Sequence, residues 1–383
     1  MTKEKNYLVI FTILIIPFLE PSIFREYYAI HKIFMMYKII SAAIISLNYI
    51  VNYFLKGKTS KMMIFIMTYQ IELLFSTYVN KGDLSTAINN AIAIITVSML
   101  IEYTFRIDNK VSFGVIYYIF GIYTVLNFLN VIFKTHGSRI VNGGTIFLLG
   151  IDNRFIFTYL PMICFGLIYN YLSNKKNNIL LFFTFIALTT VLYCWSVGAL
   201  FGMVLLTFFI LFDLSKKQKK AKVTFKYYFI IIIVLNVLIV FFQFQNYFGT
   251  FISTYLGKDV TFSGRTFLWQ LGIAKIKENP ILGYGINEEM MKTELYGLEH
   301  FHNYFVNLMY QGGMLSLIIF FIMNILAIHK LSKYKDTYIS RVISFIIFTS
   351  LILSLVDTLD YTYFFIFYLI SGNIEKLERE KNE

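Results

Sequence analysis

The sequence predicts an all-α, polytopic integral membrane protein with about twelve transmembrane helices and one large extracytoplasmic loop. Three observations predict it. Of the 383 residues, 57% are apolar and only 15% are charged, against roughly 45–50% and about 25% in ordinary soluble domains. Apolar runs near the length of a membrane span, about 20 residues, recur along the chain between short charged or turn-rich gaps. The basic residues are distributed unequally between alternate gaps, as the positive-inside rule requires of a multi-pass protein. This composition excludes a disordered chain, a coiled coil and a disulfide scaffold.

In order, the expected spans are 7–24, 36–55, 62–80, 84–105, 111–133, 155–173, 178–195, 197–212, 227–246, 303–328, 339–356 and 359–373. The first carries Pro17, Glu20 and Pro21 and lacks a small-residue cleavage site, so it reads as a retained span. The seventh and eighth are separated only by Ser196 and read as a tight helical hairpin or one broken helix. Three regions follow: 1–246, a bundle of about nine helices; 247–301, the long loop; and 302–383, the last spans and a tail. Twenty-two of the 34 Lys and Arg residues fall in one set of alternate gaps. That set takes the cytoplasmic side, with both termini, and it sends the loops around 134–154 and 247–301 outside. The net charge of +12 is therefore a topology signal rather than a nucleic-acid signal. Cys164 and Cys194 both lie in apolar runs and are expected to be buried packing residues.

Ionisable residues inside spans are costly and call for a reason. Glu72 and Glu102 lie within the third and fourth spans. Glu72 is the deepest, and it either faces a polar cavity or holds two helices together. Glu20 and Lys38 are expected near an interface.

The long loop holds the residues with chemistry. Ser263 is a candidate helix N-cap. Phe267, Leu268, Leu271 and Ala274 fall on one arc of a helix, which Pro280 stops and Gly283 and Gly285 turn. The expected structure is a short helix along the outer membrane face followed by a glycine turn. Arg265, Lys275, Lys277, His300 and His302 then share a surface. A planar, permanently charged guanidinium suits phosphate oxygens, and histidine suits proton transfer near neutral pH. Together they point to transfer chemistry on a phosphate-linked lipid. The competing reading is headgroup binding by the cations and helix capping by His302. No Walker-type phosphate loop is present.

Ser263-Gly264-Arg265, Trp269, Asn279-Pro280-Ile281-Leu282-Gly283-Tyr284-Gly285, His302-Asn303 and Gly312-Gly313, in that order, resemble the O-antigen polymerase and O-antigen ligase family. The resemblance is close over about 50 residues, and the span layout extends it along the chain. It implies a GT-C-like membrane glycosyltransferase that uses undecaprenyl-diphosphate-linked glycans at the outer face of the cytoplasmic membrane. It implies no metal, no nucleotide sugar and no other cofactor. Arg265 would hold the diphosphate and His302 would meet the acceptor. Arg154, in Asp152-Asn153-Arg154, matches an earlier family arginine more loosely, with Arg139 as its rival. The family's threonine-x-serine-arginine motif near the seventh and eighth spans is missing an arginine here, where the chain reads Cys194-Trp195-Ser196-Val197.

The expected reaction is a direct, inverting displacement. A sugar hydroxyl attacks the anomeric carbon, His302 takes its proton, and Arg265 and Arg154 meet the leaving diphosphate. Glu299 is the alternative base. Trp269 has two readings, a platform for a sugar face or packing at the membrane interface, and the second is favoured. Lys275, Gly283, Gly285 and Asn303 complete the expected substrate-binding set. Asn142 and Gly143-Gly144 are expected to make the earlier outer loop flexible enough to close over a glycan. Expected partners are the carrier-linked oligosaccharide and membrane lipids, with a chain-length regulator and a flippase alongside, and no nucleic acid. The rival readings are a ligase that passes the finished glycan to another acceptor, and a transporter of lipid-linked glycan.

Overall fold

The computed structural model describes residues 2–105, 107–133, 139–141, 144–214, 223–244, 247, 254, 265–295, 297–298, 300–358 and 362–382. The chain is a multi-pass, all-α membrane protein. Its helices are α1 (Thr2–Ile15), α2 (Tyr28–Tyr49), α3 (Lys61–Val79), α4 (Leu84–Thr104), α5 (Asn109–Phe133), α6 (Ile156–Leu172), α7 (Asn178–Cys194), α8 (Val197–Leu214), α9 (Phe225–Asn236), α10 (Arg265–Glu278), α11 (Glu288–Glu294), α12 (Tyr304–Lys333), α13 (Tyr338–Leu353), α14 (Thr362–Gly372) and α15 (Ile374–Asn382). Among the described residues, six helices are long and apolar enough to cross a membrane. Six shorter apolar helices accompany them, and together they occupy the twelve expected positions.

Differences in the boundaries have local causes. The first expected span does not run to residue 24. Pro17 draws the chain into a 3-10 turn at Ile16–Phe18, and a second such turn spans Ser22–Glu26. The second span begins at Tyr28 rather than 36 and continues through a π-turn, Ile50–Phe54. The hairpin reading holds at the seventh and eighth spans. α7 ends on Trp195 in the left-handed region (φ 51°), and α8 starts at Val197. The loop before α6 forms a short antiparallel hairpin, β1 (Arg139–Val141) and β2 (Gly144–Ile146). Its tip at 142–143, where flexibility is expected, lies outside the described residues.

Capping fixes several helix starts. Ser60, Asp83, Asn287, Asn303 and Thr337 each accept a hydrogen bond from a backbone N–H in the first turn that follows, which satisfies donors that would otherwise be orphaned. In the core, α5 packs along α6, and α3 packs along both α4 and α12. The buried carboxylates of the spans serve as interhelical ties. Glu72 accepts from Ser316 Oγ, joining α3 to α12. Glu102 accepts from Tyr49 Oη and from the Ser60 backbone N–H at 2.8 Å. Cys164 and Cys194 are free thiols, Cys164 buried and Cys194 partly so.

The segment after α10 buries Gly283 and Gly285 and leaves Pro280 and Ile281 exposed. Residues 279–286 thread between α3 and α12, at the point where Gly313 breaks α12 (φ 60°, ψ −153°). The loop supplies the hydrogen bonds that the break removes. Tyr284 N–H donates to Tyr310 O (2.7 Å), Gly285 N–H to Gln311 O (2.8 Å), and Met314 N–H to Pro280 O (2.8 Å). Irregular backbone at this depth requires partners of this kind. Gly283 (φ 65°) and Gly285 (φ 71°) are required by both conformation and space. A Cβ would overlap the Tyr310 carbonyl at the first and the Thr77 backbone at the second.

Candidate functional site

The site forms where α6, α10, α12 and α13 meet. Arg154 ends a 3-10 turn, Asp152–Arg154, that leads into α6. Arg265 opens α10. His300 and His302 precede α12, and Asp357 follows α13. Four separate segments of the chain therefore converge.

The segment 300–304 that carries the histidines is clamped from several directions. Trp269 Nε1 donates to Phe301 O at 2.9 Å. Asn303 Nδ2 donates to Asn236 Oδ1 (2.9 Å) and Leu355 O (3.1 Å), while its Oδ1 accepts from Val306 N–H (3.0 Å). Tyr304 N–H donates to Ser354 O (2.9 Å). Between these fixed points His302 is held in the left-handed region (φ 52°), an uncommon conformation for a residue other than glycine, asparagine or aspartate. Its backbone N–H donates to His300 Nδ1 at 3.2 Å, and the two imidazoles stand edge to face with centroids 4.2 Å apart.

His300 Nε2 lies 3.1 Å from Arg154 Nη2 and 3.9 Å from Asp357 Oδ1. Asp357 also accepts from the Thr358 N–H at 2.8 Å. Burial lowers the pKa of Arg265, and the nearby Asp357 carboxylate opposes that shift. Burial is also the main influence on His302. With repulsion from His300, Arg265 and Arg154, it takes the imidazole from 6.5 to about 3. His302 is therefore neutral at physiological pH. Its Nδ1 is buried and without a hydrogen-bond partner among the described residues.

His300, His302 and Asp357 place ligand atoms within 4.8 Å of one another, a set that by type could hold a divalent cation. The surrounding charge argues otherwise. Arg154 is in hydrogen-bond range of His300, and both guanidiniums repel positive charge at His302. A multiply charged anion relieves that repulsion, whereas a metal ion adds to it. Purified protein should melt at the same temperature with and without a strong chelator. A lowered melting temperature that added zinc restores would overturn this reading.

Of the sequence-predicted site residues, the structure brings together Arg154, Arg265 and His302. Four others it assigns to the scaffold. Trp269 is 0% exposed and is closed to any sugar face. It packs between α10 and α12 with Phe301 and Tyr310. Asn303 is likewise 0% exposed, with its amide fully engaged in the clamp. Gly283 and Gly285 belong to the buried loop described above. Lys275 pairs with Glu294 (3.0 Å) and Glu278 (3.4 Å) at the far end of α10, away from the histidines. Glu299 lies outside the described residues, as does the side chain of Arg139.

Asp357 and the direct contact of His300 with Arg154 were missed from sequence. The available signal was an acidic residue immediately after an apolar run, which reads equally well as a span boundary. Trp269→Ala should destabilise the protein by about 3–5 kcal/mol, the usual cost of truncating a buried aromatic, and it would also orphan the Phe301 carbonyl. Thermal unfolding in detergent would check this. A variant as stable as wild type would contradict the clamp.

Residues 181–321 match the family model described as O-antigen ligase. Over these residues the chain is similar to the O-antigen ligase family. The matched stretch includes Arg265, His300 and His302. The chain is also similar to the exopolysaccharide production protein ExoQ of Rhizobium meliloti (strain 1021), with 36% identity over 77 residues. That alignment covers 16% of this chain and 18% of the relative's length. Arg154 and Asp357 lie outside residues 181–321 and join the site through the fold.

Proposed function

We propose that this chain is a polysaccharide polymerase. It joins undecaprenyl-diphosphate-linked oligosaccharide repeat units at the outer face of the cytoplasmic membrane, by metal-independent, inverting glycosyl transfer. The observation that carries the reading is the convergence of Arg154 and Arg265 on a paired, partly buried His300–His302 unit. Two cations next to a neutral base suit a reaction in which a diphosphate leaves and a hydroxyl loses a proton.

In the proposed step, an acceptor hydroxyl oxygen bonds to the anomeric carbon. The anomeric carbon–oxygen bond to the diphosphate breaks, and undecaprenyl diphosphate leaves with that electron pair. The hydroxyl proton passes to His302. The charge balance also supplies timing. Three positive or chargeable neighbours help to hold the His302 pKa down. A diphosphate bound between the arginines offsets two of them and makes the imidazole a stronger base when the donor is in place.

The ligase description of the matching family favours a second reading, in which the finished glycan passes to another acceptor by the same chemistry. A strain lacking the protein separates the two when carrier-linked and surface glycans are compared on gels. Single repeat units without a ladder, restored by wild type but not by Arg265→Ala, support the polymerase. Long chains that remain on the carrier support the ligase. Unchanged glycans in the null strain would reject both.

A further inference from the structure

A cavity of about 200 Å³ is lined by Arg154 and His300 together with residues of α3, α4 and the start of α11. Neither the family match nor the chemistry above gives it a role. Its walls carry four amide side chains, Gln70 on α3, Asn90 on α4, Asn287 before α11 and Gln311 on α12, with Tyr69 and Tyr304 beside them. Gln70 is 3% exposed, yet its Nε2 donor has no hydrogen-bond partner among the described residues. A buried amide in that condition is costly unless something else satisfies it.

We infer that this cavity is a sugar subsite. It takes one ring of the transferring glycan, with its hydroxyl or acetamido groups read by the Gln70 amide, and it delivers the ring's reactive end to Arg154 and His300. The lining fits carbohydrate chemistry. Neutral donors and acceptors match a polyhydroxylated ring, and aromatic side chains supply apolar surface for its C–H face. The lining includes few charged side chains, Arg154, which also contacts His300, and the exposed Glu288. The volume is below the roughly 300 Å³ at which pockets for drug-sized ligands begin, so it suits one ring rather than a whole repeat unit.

The inference rests on the proposed use of a carrier-linked glycan, and the test keeps the two apart. The purified full-length protein is titrated with two probes. One is undecaprenyl diphosphate bearing no sugar. The other is the carrier-linked oligosaccharide extracted from a strain lacking the protein. Gln70→Leu should weaken the second probe about tenfold and leave the first unchanged, while Arg154→Ala weakens both. Asn90→Trp, at an exposed position on the rim, should reproduce the selective loss by filling the cavity, and it decides the matter if Gln70→Leu does not fold. Wild type that binds neither probe would reject the proposed function. Wild type that binds both, with Gln70→Leu or Asn90→Trp indistinguishable from it, would reject the subsite alone.

Discussion

Arg265→Ala and Arg154→Ala should each lower glycan transfer by about 10²–10³-fold, the usual cost of removing one pre-placed electrostatic contact to a charge that develops in the transition state. The two arginines act from different elements, α10 and the turn before α6, and both bear on His302. The double variant should therefore fall short of the product of the single losses. Arg265→Lys should recover only part of the rate, because an ammonium keeps the charge but not the planar fork. The measurement is the rate at which purified protein releases undecaprenyl diphosphate from the carrier-linked oligosaccharide, alongside a thermal melt to show that each variant is folded. A folded Arg265→Ala variant with wild-type turnover would remove the anion site from the account.

His302→Asn should lower transfer by about 10²–10⁴-fold, the range for loss of a positioned general base, while leaving the fold intact. Asparagine tolerates the left-handed conformation that position 302 adopts, so the loss can be assigned to the imidazole. The pH behaviour follows from the depressed pKa. His302 stays neutral down to about 3 in the free protein, so kcat/KM should show no acid limb from this residue between about pH 5 and 8. A base with the ordinary histidine pKa would lose activity below about 6.5. The stability sign runs the same way. Between its unfolded value near 6.5 and its folded value of about 3, the unfolded chain binds the proton and the native protein does not, so acidification in that window destabilises the fold. His302→Asn should flatten the decline in melting temperature over that window. An equal decline in both proteins would mean that His302 is not held neutral.

The helical architecture was legible because lipid imposes a length and a polarity that any apolar run reveals. The run ends were less so. Proline shortened the first helix, and α2 began at Tyr28, ahead of the strongly apolar stretch. In the long loop, Arg265 and His302 were singled out by the resemblance of their motif, because residue type alone fits headgroup binding and helix capping as well. What sequence could not supply was partnership. Asp357 meets His300 across an intervening helix pair, and Arg154 meets it from the far side of the loop. Trp269, Asn303, Gly283 and Gly285 carried the motif and so invited a substrate role. Their burial against α12 and α3 makes them the frame that holds the histidines in place.

The most direct test of the central claim is a single-turnover assay of the purified protein with radiolabelled carrier-linked oligosaccharide as both donor and acceptor, at neutral pH with chelator present. The account predicts glycan longer than one repeat unit, stoichiometric release of undecaprenyl diphosphate, inversion at the transferred anomeric centre, and loss of all three in folded Arg265→Ala and His302→Asn variants. Retention of anomeric configuration, or full turnover by either variant, would contradict it.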